Sequence, residues 1–151
     1  MLRSDLAEPD MPLKSRWVTE IIDVVALCHE KRVLIFDIAL RNILLTEDLH
    51  IRLIDFANSA LLPEDTNMVE ANESGCTLQI DLLHLGSVIY SIATWQKSSV
   101  DCAEETDWPH SAALPTLDDV LFGSVIAHCW AKQYYDVNEL QQHFQRLKTP
   151  E

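Results

Sequence analysis

Glycine is nearly absent from this chain: its 151 residues contain only Gly75, Gly86 and Gly123, far apart. No glycine-rich loop that cradles phosphates with backbone N–H groups, and no Walker loop, can be built from them. Basic residues are also scarce, with 11 Lys and Arg against 24 Asp and Glu and a formal net charge of −13. A surface of that sign repels phosphate backbones, which argues against nucleic acid as a partner. A basic protein partner stays open, and a well-solvated acidic surface is the plainest account. Cys28, Cys76, Cys102 and Cys129 form no C-x-x-C pair. That excludes the familiar zinc spacing and a small secreted disulfide framework, and suits reduced thiols in an intracellular, cytoplasmic protein. No apolar run approaches the roughly 18 residues of a membrane span. The opening MLRSDLAEPDMPLK has no apolar signal core, so no membrane association is expected.

What remains is ordinary globular composition, 48% hydrophobic and 23% charged, sufficient for one domain with a real core. Pro9 and Pro12 and the lack of periodicity make residues 1–14 a mobile N-terminal arm. Trp17, Ile21, Val24, Val25 and Cys28 recur at spacings of three and four, which predicts a helix from an N-cap at Ser15 to about Lys31. Val33 to Phe36 reads as a short buried strand. Ile43 to Leu45 and Ile51 to Ile54 read as a hairpin around the polar turn 46–50. Residues 58–76 read as loop. Residues 80–93 are apolar on most faces, the mark of a buried central helix. Leu117 to Lys132 reads as a further helix. A last one, capped by Asp136 or Asn138, places Val137, Leu140, Phe144 and Leu147 on one face. The class is α+β, mostly α, with its strands gathered in one place.

The hairpin carries a geometric consequence. Asn42 precedes its first strand and Asp55 follows its second, and antiparallel pairing sets those two ends side by side. Asp37 lies in the same loop as Asn42. Two carboxylates and a carboxamide therefore meet at one rim, a set of hard oxygens suited to Mg²⁺ rather than to a soft metal. Singly, each is an ordinary turn residue beside a strand.

The pattern D-x-x-x-x-N over Asp37 to Asn42, followed after the hairpin by Asp55-Phe56-Ala57, resembles the catalytic loop and magnesium motif of protein kinases. D-L-L-H-L-G-S-V-I-Y (81–90) resembles the buried central helix of the kinase C-terminal lobe, I-A-H-C-W (126–130) a late helix with a Cys-Trp pair, and residues 26–33 the helix leading into the catalytic loop. The similarity runs over about residues 15–147, and residues 15–148 are identified as a divergent protein-kinase-like C-terminal lobe. It implies a small β-hairpin cluster at the catalytic loop over a buried central helix. It also implies ATP-dependent phosphoryl transfer to a protein hydroxyl, with Asp37 as catalytic base. Asn42 and Asp55 would hold Mg²⁺ on ATP, Asp81 would tie down the catalytic-loop backbone, and Phe56 would give structural support. Ala39 and Arg41 make the loop more similar to the tyrosine-kinase form.

Departures from the family pattern point the other way. Ile35 and Phe36 stand where the family has His-Arg, Ala57 stands for a glycine, and Val69-Glu70 is a poor echo of Ala-Pro-Glu. The N-terminal lobe, with its glycine-rich loop and strand lysine, does not fit ahead of Asp37. Weak Mg-ATP binding and little or no activity from this chain alone are then expected, since a half-cleft encloses little of a ligand. The alternative reading is a pseudokinase-like interaction module, whose partner is a lobe or chain covering the exposed cleft face. The dispersed histidines, with His84 three residues after Asp81, read as packing residues rather than ligands, and the four tryptophans as anchors.

Overall fold

The computed structural model describes residues 6–98, 100 and 102–148. Among the described residues, four α-helices and two small antiparallel sheets give an α+β fold that is mostly helical. In chain order these are α1 (Met11–Glu30), β1 (Val33–Leu34), β2 (Ile43–Leu45), β3 (Ile51–Leu53), β4 (Ala60–Leu61), α2 (Leu78–Thr94), α3 (Gly123–Trp130) and α4 (Val137–Lys148).

Helix α1 starts earlier than the apolar periodicity indicated. Asp10, not Ser15, is its N-cap, and the Asp10 carboxylate accepts from Leu13 N at 3.1 Å. Pro12 falls in the first turn, where a missing N–H costs nothing. The helix thus takes in residues 11–14, which the proline pair had assigned to the arm; residues 1–5 of that arm lie outside the described residues. Lys14 is buried and donates to Ala93 O at 2.9 Å and to Glu8 at 3.0 Å. Its ammonium caps the C-terminal end of α2, where the helix dipole favours a cation.

Helix α2 is the centre of the molecule, and nearly every one of its 17 residues is buried. A helix this apolar all round is stable only when enclosed. Trp17, Ile21 and Val25 of α1 and Val125, Ile126 and Cys129 of α3 belong to the same core. Gly86 sets the α2–α3 distance, since a Cβ there would stand 2.7 Å from Cys129 Cβ and 3.2 Å from Trp130 Cδ1. Trp130 Nε1 donates to Ser87 Oγ, Trp108 Nε1 to Trp130 O, and Trp17 stacks on Trp95, so all four tryptophans are anchors.

Three element expectations are corrected. The strand expected over 33–36 stops at Leu34, because the next two N–H groups turn to Asp81. Its partner, β4, lies inside the segment read as loop, with Val33 opposite Leu61 and Leu34 opposite Ala60. The helix expected from Leu117 begins only at Gly123, since Asp119 and Phe122 take left-handed φ values of 61°. Asp136 is the side chain that caps α4, accepting from Glu139 N, but Leu147 is exposed rather than on the buried face. No helix among the described residues is long and apolar enough to cross a membrane.

Candidate functional site

Strands β2 and β3 pair with Ile43 opposite Leu53 and Leu45 opposite Ile51. Beyond the last pair, Ile54 N donates to Asn42 O at 2.8 Å. Asn42 is buried, and its Nδ2 donates to Asp37 O at 2.9 Å. These two bonds connect the three stretches of chain that carry Asp37, Asn42 and Asp55. The amide nitrogen being committed, Asn42 Oδ1 is the atom left to act as a ligand. Asp37 keeps a partly exposed carboxylate, which forms an ion pair with Arg41 one helical turn on. Asp55 is exposed, takes a left-handed φ of 65°, and accepts from Ala57 N at 3.3 Å. Phe56 is 41% exposed, so its ring is no part of the core. Its support is confined to its carbonyl, which accepts from Ser59 N and Ser59 Oγ.

Beneath this rim lies a fully buried carboxylate. Asp81, in the first turn of α2, accepts from Ile35 N and Phe36 N at 2.9 Å and from His29 Nε2 at 2.8 Å. Three donors satisfy a charge that burial alone would make costly. They also hold Phe36 at φ 69°, a conformation unfavourable for a bulky residue. The loop that delivers Asp37 is thereby fastened to the central helix. The pairings of His29 with Asp81 and of Arg41 with Asp37 are what sequence reasoning missed. His29 had been taken as a packing residue, and only its long-range contact with Asp81 distinguishes it.

Asn42 Oδ1 and the Asp55 carboxylate are hard oxygens, the donor type that Mg²⁺ takes. Among the described residues no set of three or more His, Cys, Asp or Glu is grouped to hold a metal, so the rim offers a thin ligand set. All four cysteines are free thiols. Burial, with the nearby Asp81 charge second, pushes Cys76 up to about 12, and burial also raises Cys129, so both stay protonated and unreactive.

No family model matches the chain. Over 91 aligned residues, 50% of this chain, it is 30% identical to 3-phosphoinositide-dependent protein kinase 1 of Rattus norvegicus. The match takes in 16% of that kinase's own length. The chain is therefore similar to part of a protein kinase.

Proposed function

We propose that this chain is a protein-kinase-like C-terminal lobe whose rim of Asp37, Asn42 and Asp55 serves phosphoryl transfer once a nucleotide-binding lobe completes the cleft. The observation that carries the reading is the fastening of the Asp37 loop to the buried helix through Asp81, with Asn42 bridging that loop to the end of the hairpin. The partial likeness to a protein kinase supports it. In this reading Asp37 accepts the proton of an incoming protein hydroxyl as that oxygen bonds to the terminal phosphorus and the bond to the diphosphate breaks. Arg41 holds the Asp37 carboxylate in one orientation. Asn42 and Asp55 hold Mg²⁺, which supplies charge neutralisation at the phosphates. Three scattered glycines provide no phosphate cradle, so the chain alone binds Mg-ATP weakly and transfers little.

A second reading, an interaction module that has kept the lobe but not the chemistry, draws on the exposure of Leu44, Ile54 and Phe56 around the hairpin. Alternation along the strands puts Leu44, Arg52 and Ile54 on the outer side, away from the core. Melting with and without millimolar Mg-ATP separates the two, since a ligand bound to the folded state raises the midpoint by mass action. The phosphoryl-transfer reading expects a rise that Asp55→Ala abolishes, and label transfer from ATP that Asp37→Asn abolishes. An unchanged midpoint favours the module, and label transfer that Asp37→Asn leaves undiminished rejects Asp37 as the base.

A further inference from the structure

Helices α3 and α4 each contribute one histidine to the seam between them. The rings of His128 and His143 lie 5.0 Å apart, inclined at 65°. Each ring has its Nδ1 engaged. His128 Nδ1 lies 2.6 Å from Ser124 O, and a carbonyl only accepts, so the proton sits on Nδ1 and the lone pair on Nε2. His143 Nδ1 pairs with Tyr134 Oη at 2.6 Å, and a phenol oxygen can accept as well as donate. On neither ring does Nε2 have a hydrogen-bond partner among the described residues, and neither Nε2 is shut away from solvent. A hydrogen bond on the far nitrogen is what orients an imidazole as a metal ligand and fixes its tautomer. Bonds of about 2.1 Å from a tetrahedral ion to two imidazole nitrogens set the ring centres about 5 Å apart, the separation found here. Burial, then the neighbouring His128 and Arg146, hold the His143 imidazole below the usual histidine range, which keeps the ring in the neutral form that metals bind.

We propose that His128 and His143 form a binding site for a transition-metal dication such as Zn²⁺, held through the two Nε2 atoms and clamping α3 to α4. Among the described residues no set of three or more His, Cys, Asp or Glu is grouped to hold a metal, so water fills the remaining positions and the ion exchanges readily. Imidazole suits zinc, copper and nickel, whereas Mg²⁺ and Ca²⁺ take oxygen, which separates this seam from the rim in ligand chemistry. In the bound form His143 Nδ1 donates to Tyr134 Oη, leaving Nε2 its lone pair. The net charge of −13 draws cations toward the chain at long range, with Arg146 opposing them locally. This inference is independent of the proposed phosphoryl-transfer site.

Calorimetric titration of the full, reduced chain with Zn²⁺ at about pH 7.5 tests it, where both rings are neutral. One ion per chain is expected, saturating below about 1 mM. His128→Gln and His143→Gln should each weaken binding about tenfold or more, with circular dichroism confirming an intact fold. Nitrogen NMR of the imidazoles in the unaltered chain reads the ligand atoms without any variant: Nε2 of both rings should shift together as Zn²⁺ is added. Ca²⁺ in place of Zn²⁺ controls for the acidic surface and should leave both rings unmoved. Undiminished affinity in the two variants, shifts confined to one ring, Ca²⁺ bound as tightly as Zn²⁺, or no saturation by about 1 mM would each overturn the proposal.

Discussion

Helix α2 and the hairpin rim are joined through the bonds of Asp81 to the loop before Asp37 and are built on opposite terms. Along α2 nearly every side chain is enclosed, the C-terminal end is capped by a buried ammonium, and the first turn carries a carboxylate with three donors. On the rim, Arg41, Leu44, Ile54, Asp55 and Phe56 are all exposed, and Phe36 and Asp55 hold left-handed backbone. Stability resides in the first region, while the second exposes most of its side chains and holds strained backbone at Phe36 and Asp55. Asp81 is the residue that belongs to both, which makes it the place to break the contrast.

Replacing Asp81 by Ala should have the largest effect. It strands the N–H groups of Ile35 and Phe36 and the Nε2–H of His29 in the interior. A loss of about 3–5 kcal/mol is expected in urea unfolding, shown as a lower midpoint. Asp81→Asn, which keeps one acceptor oxygen, should lose about half as much. A cost below about 1 kcal/mol for the alanine variant would mean that the loop is held by something other than this carboxylate.

Gly86→Ala tests the core side of the comparison. The added methyl meets Cys129 Cβ at 2.7 Å, an overpacking that costs about 1–3 kcal/mol, against a helix-propensity gain of about 1. A net loss of up to about 2 kcal/mol should lower the melting midpoint by several degrees at most. A midpoint that stays or rises would show that α2 and α3 can separate at little cost.

How far each region was readable from the sequence follows the same division. Helix α2 was legible because an all-apolar stretch can only be enclosed, and the hairpin because Ile51 and Leu53 alternate with Arg52. Antiparallel pairing also accounts for the start of one strand lying beside the end of the other, seen in the Ile54 N to Asn42 O bond. Strand β4 was not legible, since Ala60 and Leu61 lie in a polar stretch and gain their meaning from β1. Nor was the late start of α3, where Phe122 adopts a backbone that its own propensity disfavours. The pairing of His29 with Asp81 spans 52 positions, beyond the reach of any local pattern.

On the rim, Asp55 measures the strain. Asp55→Gly should leave stability within about 0.5 kcal/mol of wild type, because relief at φ 65° offsets the entropy glycine adds to the unfolded chain. Asp55→Val should cost about 1–2 kcal/mol, since a β-branched side chain has no comfortable left-handed rotamer. Urea midpoints of the two variants check this. If valine is tolerated as well as glycine, the rim backbone is free to relax and the contrast with the core narrows.

The smallest effect is expected at the seam between α3 and α4, which packs like core yet titrates. The His143 ring lies 5.0 Å from that of His128, and its Nδ1 pairs with Tyr134 Oη at 2.6 Å. Burial, then the neighbouring His128 and Arg146, hold the His143 imidazole below the usual histidine range. In the unfolded chain the same ring takes its proton near pH 6.5. As pH falls below that value the unfolded state binds the extra proton first, so stability drops; as pH rises again it returns. Urea midpoints followed from about pH 7.5 to about pH 5 should decline for wild type, and less steeply for His143→Gln. Carboxylates that titrate elsewhere act equally on both proteins, so the difference in slope isolates this ring. Identical slopes would show that the seam opens enough for His143 to protonate as it does in water, placing that edge of the helical core nearer to the rim in character than its packing suggests.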